Sequence, residues 1–226
     1  MGALTRRLRP IAQRVSVVVP CSSKHVQHLP EILRELAMQT SPPDEVVVAV
    51  SGVATAPAHR APARIPFLRI LASAAPANAA QNRNRGTAAS TGSVIVYQDA
   101  DDLPHPQRIE LLRHLFDAFD VDHVMHGFRS GREVDPEWRS TRRSLDQLAR
   151  EAVRRPDYVF EYATTNGNPA VSSRVAHAVQ WPEHLAVGED VAFNRAACDA
   201  SRACVVVPWP LLHYRQHLSA GTMAPS

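Results

Sequence analysis

The sequence predicts a single α/β domain with a mostly parallel sheet and helices on both faces. Two β-branched runs, Val15-Ser-Val-Val-Val19 and Glu45-Val-Val-Val-Ala-Val50, lack polar alternation, as strands buried on both faces do. The stretch between them repeats its apolar residues at three- and four-residue intervals, the stripe of an amphipathic helix. Strand then continues to alternate with helix as far as Phe128, the order that builds a parallel sheet covered on both sides.

The first strand stops at Pro20. His28 to Gln39 follows as a helix, with Leu29, Ile32, Leu33, Leu36 and Ala37 on one face, and Pro42-Pro43 ends it. The second strand closes at Ser51-Gly52. A loop rich in Pro, Ala and Arg leads to a third strand, Phe67 to Leu71. Ala77 to Ser90 reads as a helix stopped by Gly92, and Ser93 to Gln98 as a fourth strand running into Asp99-Ala100-Asp101-Asp102. Pro104 and Pro106 suit the start of the next helix, striped by Ile109, Leu112, Leu115, Phe116 and Phe119. A strand near His123 to Phe128 comes next. Beyond it the pattern loosens to a helix over 145–155, a turn at Asn166-Gly167, a helix over Asp190 to Ala200, a strand over Cys204 to Val207 and a closing segment over Leu211 to His217.

Length and composition restrict the function classes. The 226 residues suit one sizeable core, with residues 1–14 as a basic arm, 15–218 as the domain and 219–226 as a flexible tail. A net charge of +3 does not by itself imply nucleic-acid binding. Arg6, Arg7, Arg9 and Arg14 precede the first acid, Glu31; the simplest reading is a solvated terminus, with contact to anionic lipid or nucleic acid, or a short targeting segment, as the alternatives. Cys21, Cys198 and Cys204 are odd in number and form no CxxC, so neither a disulfide framework nor a zinc site is expected, and a cytoplasmic setting fits. The apolar runs are too short to span a bilayer, which leaves peripheral association as the membrane option.

The chemistry centres on Asp99, Asp101 and Asp102. In an open α/β sheet ligands bind beyond the carboxyl ends of strands, where this cluster falls. Three adjacent carboxylates repel one another unless protons or a cation intervene. Oxygen-only donors suit Mg²⁺ or Mn²⁺, which bind through one or two carboxylates together with substrate phosphates. The plain alternative is a solvated turn capping the next helix.

The stretch from Asn82 to Asp102, NRNRGTAASTGSVIVYQDADD, resembles the segment of family 2 glycosyltransferases that reads RNxG, a small-residue helix, a glycine, an apolar strand and DADD. The opening VSVVVP, Gly188-Glu189-Asp190 and Tyr214-Arg215-Gln216-His217 are also similar to that family. The resemblance implies a GT-A fold with a Rossmann-like nucleotide half, and inverting transfer from a nucleotide sugar, usually a UDP-sugar. It implies that Asp101 binds a divalent metal, Mn²⁺ or Mg²⁺, with Asp99 as a second ligand that also meets the donor's hydroxyls, and that His217 folds back on the metal or diphosphate. Pro20, Cys21 and Ser22 match the loop that lines the base, and Arg83 and Asn84 match the RN pair beside the donor. The acid that often follows the second strand is missing, so Ser51 is its candidate replacement. Glu189 and Asp190 match the ED pair that supplies the catalytic base.

If the last segment is extended, Arg215 and His217 share a face that can meet the diphosphate. The eight arginines in 129–155 read as a solvated surface or as a site for an anionic acceptor. For Trp138, Trp181 and Trp209 buried packing is preferred over sugar stacking. Nucleotidyl transfer and a catalytically degenerate sugar-nucleotide-binding domain stay open as other readings. So do glycan, lipid-linked, protein and modified nucleic-acid acceptors, and the oligomeric state.

Overall fold

A computed structural model describes residues 4–57, 62–155, 164 and 167–215. The first half of the chain gives β1 (Val15–Ser22), a 3-10 turn (Ser23–His28), α1 (Leu29–Ala37), β2 (Glu45–Ser51), β3 (Phe67–Ser73), α2 (Ala79–Ala89), β4 (Val94–Tyr97), β5 (Leu103–Pro104) and α3 (Arg108–Ala118). The second gives β6 (His123–Gly131), α4 (Pro136–Ser140), α5 (Leu145–Glu151), β7 (Val153–Arg155), β8 (Ala170–Ser172), α6 (Ser173–Ala178), α7 (Glu189–Asp199) and β9 (Cys204–Arg215).

All the described strands join one sheet in the order β3-β2-β1-β4-β8-β6-β9-β5, with β7 also on β9. The β3-β2-β1-β4 half is parallel throughout, as the sequence predicts. The other half is mixed. β8 runs antiparallel to both β4 and β6, and β5 and β7 run antiparallel to β9, which is itself parallel to β6. The long pairings are parallel throughout the sheet, as expected, and the antiparallel ones are confined to short strands. Those short strands span two or three residues, too few to carry a period.

The pleat sends alternate residues to opposite faces. Val15, Val17, Val19 and Cys21 of β1 pack with α1, α3 and α5 in the larger core. Val18 turns the other way, with Ile95 and Tyr97, toward Ala80, Val175, Trp181, Phe193 and Ala197 of the α2, α6 and α7 side. The sheet is thus a middle layer, and its strand ends are left as the place for a site.

Further departures from the sequence reading have local causes. The helix expected over 145–155 ends at Glu151, because residues 153–155 pair with the edge of β9. The expected break between Val207 and Leu211 is absent. β9 runs through Pro208 and Pro210 because its register with β6 slips around Gly127, and at a bulge proline costs no ladder bond. The basic arm is packed along the end of α3: Arg7 N donates to Ala118 O at 2.8 Å and Gln13 N to Asp117 Oδ1 at 2.8 Å.

Helix α2 brings the RNRG stretch against the sheet. Asn78 caps it, accepting from Gln81 N at 2.9 Å while its own N–H reaches the Gln81 side chain. Gly86 lets α2 approach β1, since a Cβ there would stand 2.4 Å from Val18 Cγ1. Gly86→Ala should therefore destabilise the fold by about 1–3 kcal/mol, the usual cost of overpacking. Val18→Ala in the same chain should recover part of the loss in urea denaturation; if the double variant is no better than the single, the contact is not the cause.

Candidate active site

The ends of β1 and β2 lie side by side, with Ser22 opposite Ser51, and β4 beside them leads into the acidic turn. Helix α2 directs Arg83 into this corner. Its guanidinium is 3% exposed, donates to Asp99 Oδ1 at 2.8 Å and lies 3.3 Å from Glu189 Oε1. The cation also sits 4.3 Å from the centre of the Trp181 ring, which stacks on Phe193 at 3.9 Å. One buried charge thus joins the DADD turn after β4 to the first residue of α7. Asn168 holds the turn from the far side: its Oδ1 accepts from Asp99 N at 2.7 Å, and its Nδ2 donates to Asp99 Oδ2 and Asp102 Oδ2 at 3.2 and 3.3 Å. Gly167 lies close over the pair, where a Cβ would fall 2.9 Å from Asp99 Oδ2.

A second cation lies beneath. Arg108 is fully buried and donates to Gln98 Oε1, Tyr97 O, Asn168 O and His126 Nε2. Burial pulls it down to about 9, opposed by the charges of Asp102 and Asp99. The carboxyls show the complementary effect. Asp102 is pushed well above the ordinary carboxylate range by burial, then by Asp99 and Asp101. Burial raises Asp99 too, with Asp101 adding to it and Arg83 opposing. Burial and the charge of Asp101 together push the Cys21 thiol up to about 12, so it is an inert wall of the site.

The predicted residues fare differently. Asp99, Asp102, Arg83 and Glu189 are bonded as described, and Asp101 carries the charge felt by Asp99, Asp102 and Cys21. Pro20, Cys21 and Ser22 lie on the last residues of β1. Asp190 follows Glu189 at the start of α7; its Oδ1 accepts from Val191 N at 2.8 Å. Among the described residues it has no ion-pair partner. Ser51 lies at the site but is buried; its hydroxyl donates to Ala77 O at 3.2 Å and accepts from Asn82 Nδ2 at 3.0 Å. The Asn84 amide is engaged with Trp181 and Glu183, bracing the loop after α6. Neither side chain is left open toward a nucleotide.

Arg215 sits at the end of β9. Its backbone N–H points to Asp102 Oδ1 at 3.3 Å, but its guanidinium makes two 2.7 Å bonds to Glu31. His217 lies outside the described residues, as does the 219–226 tail. His213 is buried against Gly131 O. Trp138 and Trp181 are buried, as preferred, and the 129–155 arginines include pairs with Asp135, Glu35 and Glu151. Asn82, Asn168 and Arg108 were not singled out in the sequence. Asn82 lay inside the recognised motif, whereas Asn168 carried no signal of its own.

Residues 16–179 match the sequence family described as glycosyl transferase family 2. The chain belongs to that family. Its fold is the GT-A fold of solved relatives. It is similar to S. aureus TarS 1–349 in complex with UDP-GlcNAc (15% identity, TM-score 0.66, covering 92% of this chain and 60% of that one). It is similar also to the mannosyltransferase PcManGT from Pyrobaculum calidifontis in complex with GDP-Man and Mn²⁺ (17% identity, TM-score 0.58, 96% and 61%). The chain thus spans about three fifths of the length of each of those two structures. No curated protein sequence matches it. Among the described residues of this family 2 domain, no helix is long and apolar enough to cross a membrane.

In this family 2 chain Arg83 is the cation that keeps Asp99 and Glu189 together. Arg83→Met should leave two acids facing each other in a buried corner and lower stability by about 3–5 kcal/mol, the usual cost of breaking a buried pair. Urea denaturation at neutral pH measures this; a loss below 1 kcal/mol, on the order of a surface pair, would contradict it.

Proposed function

We propose that the chain transfers a sugar, with inversion, from a nucleoside diphosphate sugar to an acceptor hydroxyl, with a divalent cation at the acidic turn. The observation that carries this reading is the DADD turn at the end of β4, linked through buried Arg83 to the Glu189-Asp190 pair. That link favours glycosyl over nucleotidyl transfer, because only the former needs a base beside the donor. It also speaks against a degenerate binding domain.

The donor set fits a cation. Asp102 is held well above its ordinary range by burial first and then by the charges of Asp99 and Asp101, and all the candidate donors are oxygens, as Mg²⁺ and Mn²⁺ prefer. Asp101 is the leading ligand, as the DADD turn of the family implies, and Asp99, which also meets Arg83 and Asn168, is the second. When bound, the cation neutralises charge developing on the diphosphate leaving group. The side chains do the rest. Arg83 fixes Asp99 against the donor's hydroxyls, and the end of β1 lines the base. Asp190 takes the acceptor's proton, because Glu189 is committed to Arg83 and Asp190 is not. A UDP-sugar is the first donor to test, as the TarS complex holds UDP-GlcNAc; the PcManGT complex makes GDP-sugars the second.

Asp101→Ala should abolish the part of UDP binding that requires Mn²⁺, with the circular dichroism of the fold unchanged. Calorimetry with and without EDTA decides: full, EDTA-insensitive binding in the variant refutes the metal assignment. Asp190→Asn should lower kcat by about 10²-fold or more while UDP affinity stays close to wild type. Near-normal turnover would move the base to another residue, Glu189 first.

A further inference from the structure

Away from the acidic turn, β6, α7 and β9 bring three soft donors together. The parallel register of β6 and β9 sets His123 beside Cys204, and Cys198 comes in from α7. One ligand atom from each lies within 4.8 Å of the other two, and all three side chains are buried. We propose that His123, Cys198 and Cys204 form a binding site for one Zn²⁺ ion that fastens the end of α7 to the sheet.

The hydrogen bonds set the histidine for this role. Asn194 Nδ2 donates to Asp190 O at 2.8 Å, so the Asn194 oxygen is the atom facing His123 Nε2, also at 2.8 Å. Nε2 therefore carries the proton. The lone pair of Nδ1 points to the Cys204 sulfur, 3.0 Å away. A metal-bound histidine is oriented in this way, with its other nitrogen donating to a carbonyl. Met125, Val206 and Val191 pack around the cysteines as an apolar wall. Two thiolates and Zn²⁺ sum to zero charge, which lowers the cost of burying the complex. Imidazole with two thiolates supplies three of the four positions of tetrahedral zinc and leaves the fourth to a water, whereas hard Mg²⁺ or Mn²⁺ is disfavoured. Binding would release the two thiol protons to solvent.

The placement gives the ion a consequence. Cys198 stands eight residues beyond Asp190, about 12 Å along α7 at the usual helical rise. Cys204 begins the strand that ends at Arg215. The ion would tie together the two elements that carry Glu189-Asp190 and Arg215 without entering the acidic turn. The proposal does not depend on glycosyl transfer.

The test uses the full chain, reduced and stripped with a chelator, titrated with Co²⁺ as a spectroscopic probe. Expected is a thiolate-to-cobalt charge-transfer band saturating near one equivalent and bleached by Zn²⁺. The band should be lost in Cys198→Ser and in Cys204→Ser and kept in Asp101→Ala. Zn²⁺ should raise the melting temperature of the wild type, and of Cys198→Ser no more than of an unrelated control. Far-UV circular dichroism of each metal-free variant identifies any that fail to fold, and His123→Gln then serves as the additional ligand variant. No band in the reduced wild type, a band that survives both serine variants, or a Cys198–Cys204 disulfide persisting under reductant would overturn the proposal.

Discussion

Arg83 keeps a guanidinium almost wholly out of water, and that is tolerable only while Asp99 and Glu189 stay in place. Burial alone would weaken its hold on the proton; the two acids more than reverse this. The three residues come from α2, the turn after β4 and the start of α7, so a single charge fixes the mutual position of three elements. The aromatic stack of Trp181 and Phe193 beneath it supplies an apolar floor that strengthens the pairing. Gly86 allows α2 to reach the sheet, and Gly167 allows the loop before β8 to close over the pair.

The acids of the turn outnumber what Arg83 can balance. Arg108 supplies a second positive charge from below, yet it faces carbonyls, Gln98 and His126 rather than the carboxylates themselves. Asp102 has raised proton affinity, chiefly through burial, and Arg215 at the end of β9 feels the charges of Asp101 and Asp102. A site in this condition gains most from a cation that arrives with its substrate. Asp190, unpaired among the described residues, stands beside the pair without sharing its charge. The different roles proposed for Glu189 and Asp190 rest on which of them the arginine takes.

Much of the nucleotide half was legible in the sequence. β1, β2 and β4 are β-branched runs buried on both faces, and long runs of that kind leave little ambiguity. The acidic turn was legible because three carboxylates fall at a strand end within a stretch that resembles the family 2 motif. What escaped was set by distant contacts. Asn168 is one polar residue before a three-residue strand, and only the fold places it over Asp99 and Asp102. The partners of Ser51 and Asn84 within the protein also escaped, because hydrogen-bond partners cannot be read from spacing. The cysteines showed no motif because His123, Cys198 and Cys204 meet through strand register and helix packing, not through proximity in sequence.

The central claim is that crowded, partly buried carboxylates make the acidic turn a cation site. Mn²⁺ binding to the protein in the presence of saturating UDP, followed by electron paramagnetic resonance as pH is lowered, tests it most directly. Protons on Asp99 and Asp102 remove negative charge from the cluster that attracts the metal. Because Asp99 and Asp102 hold protons more tightly than an ordinary carboxylate, bound Mn²⁺ should begin to fall while the pH is still well above about 4, the ordinary aspartate range. Asp102→Asn should move that loss to lower pH. Mn²⁺ binding that stays level down to the ordinary range, or that is absent at neutral pH, would contradict the account.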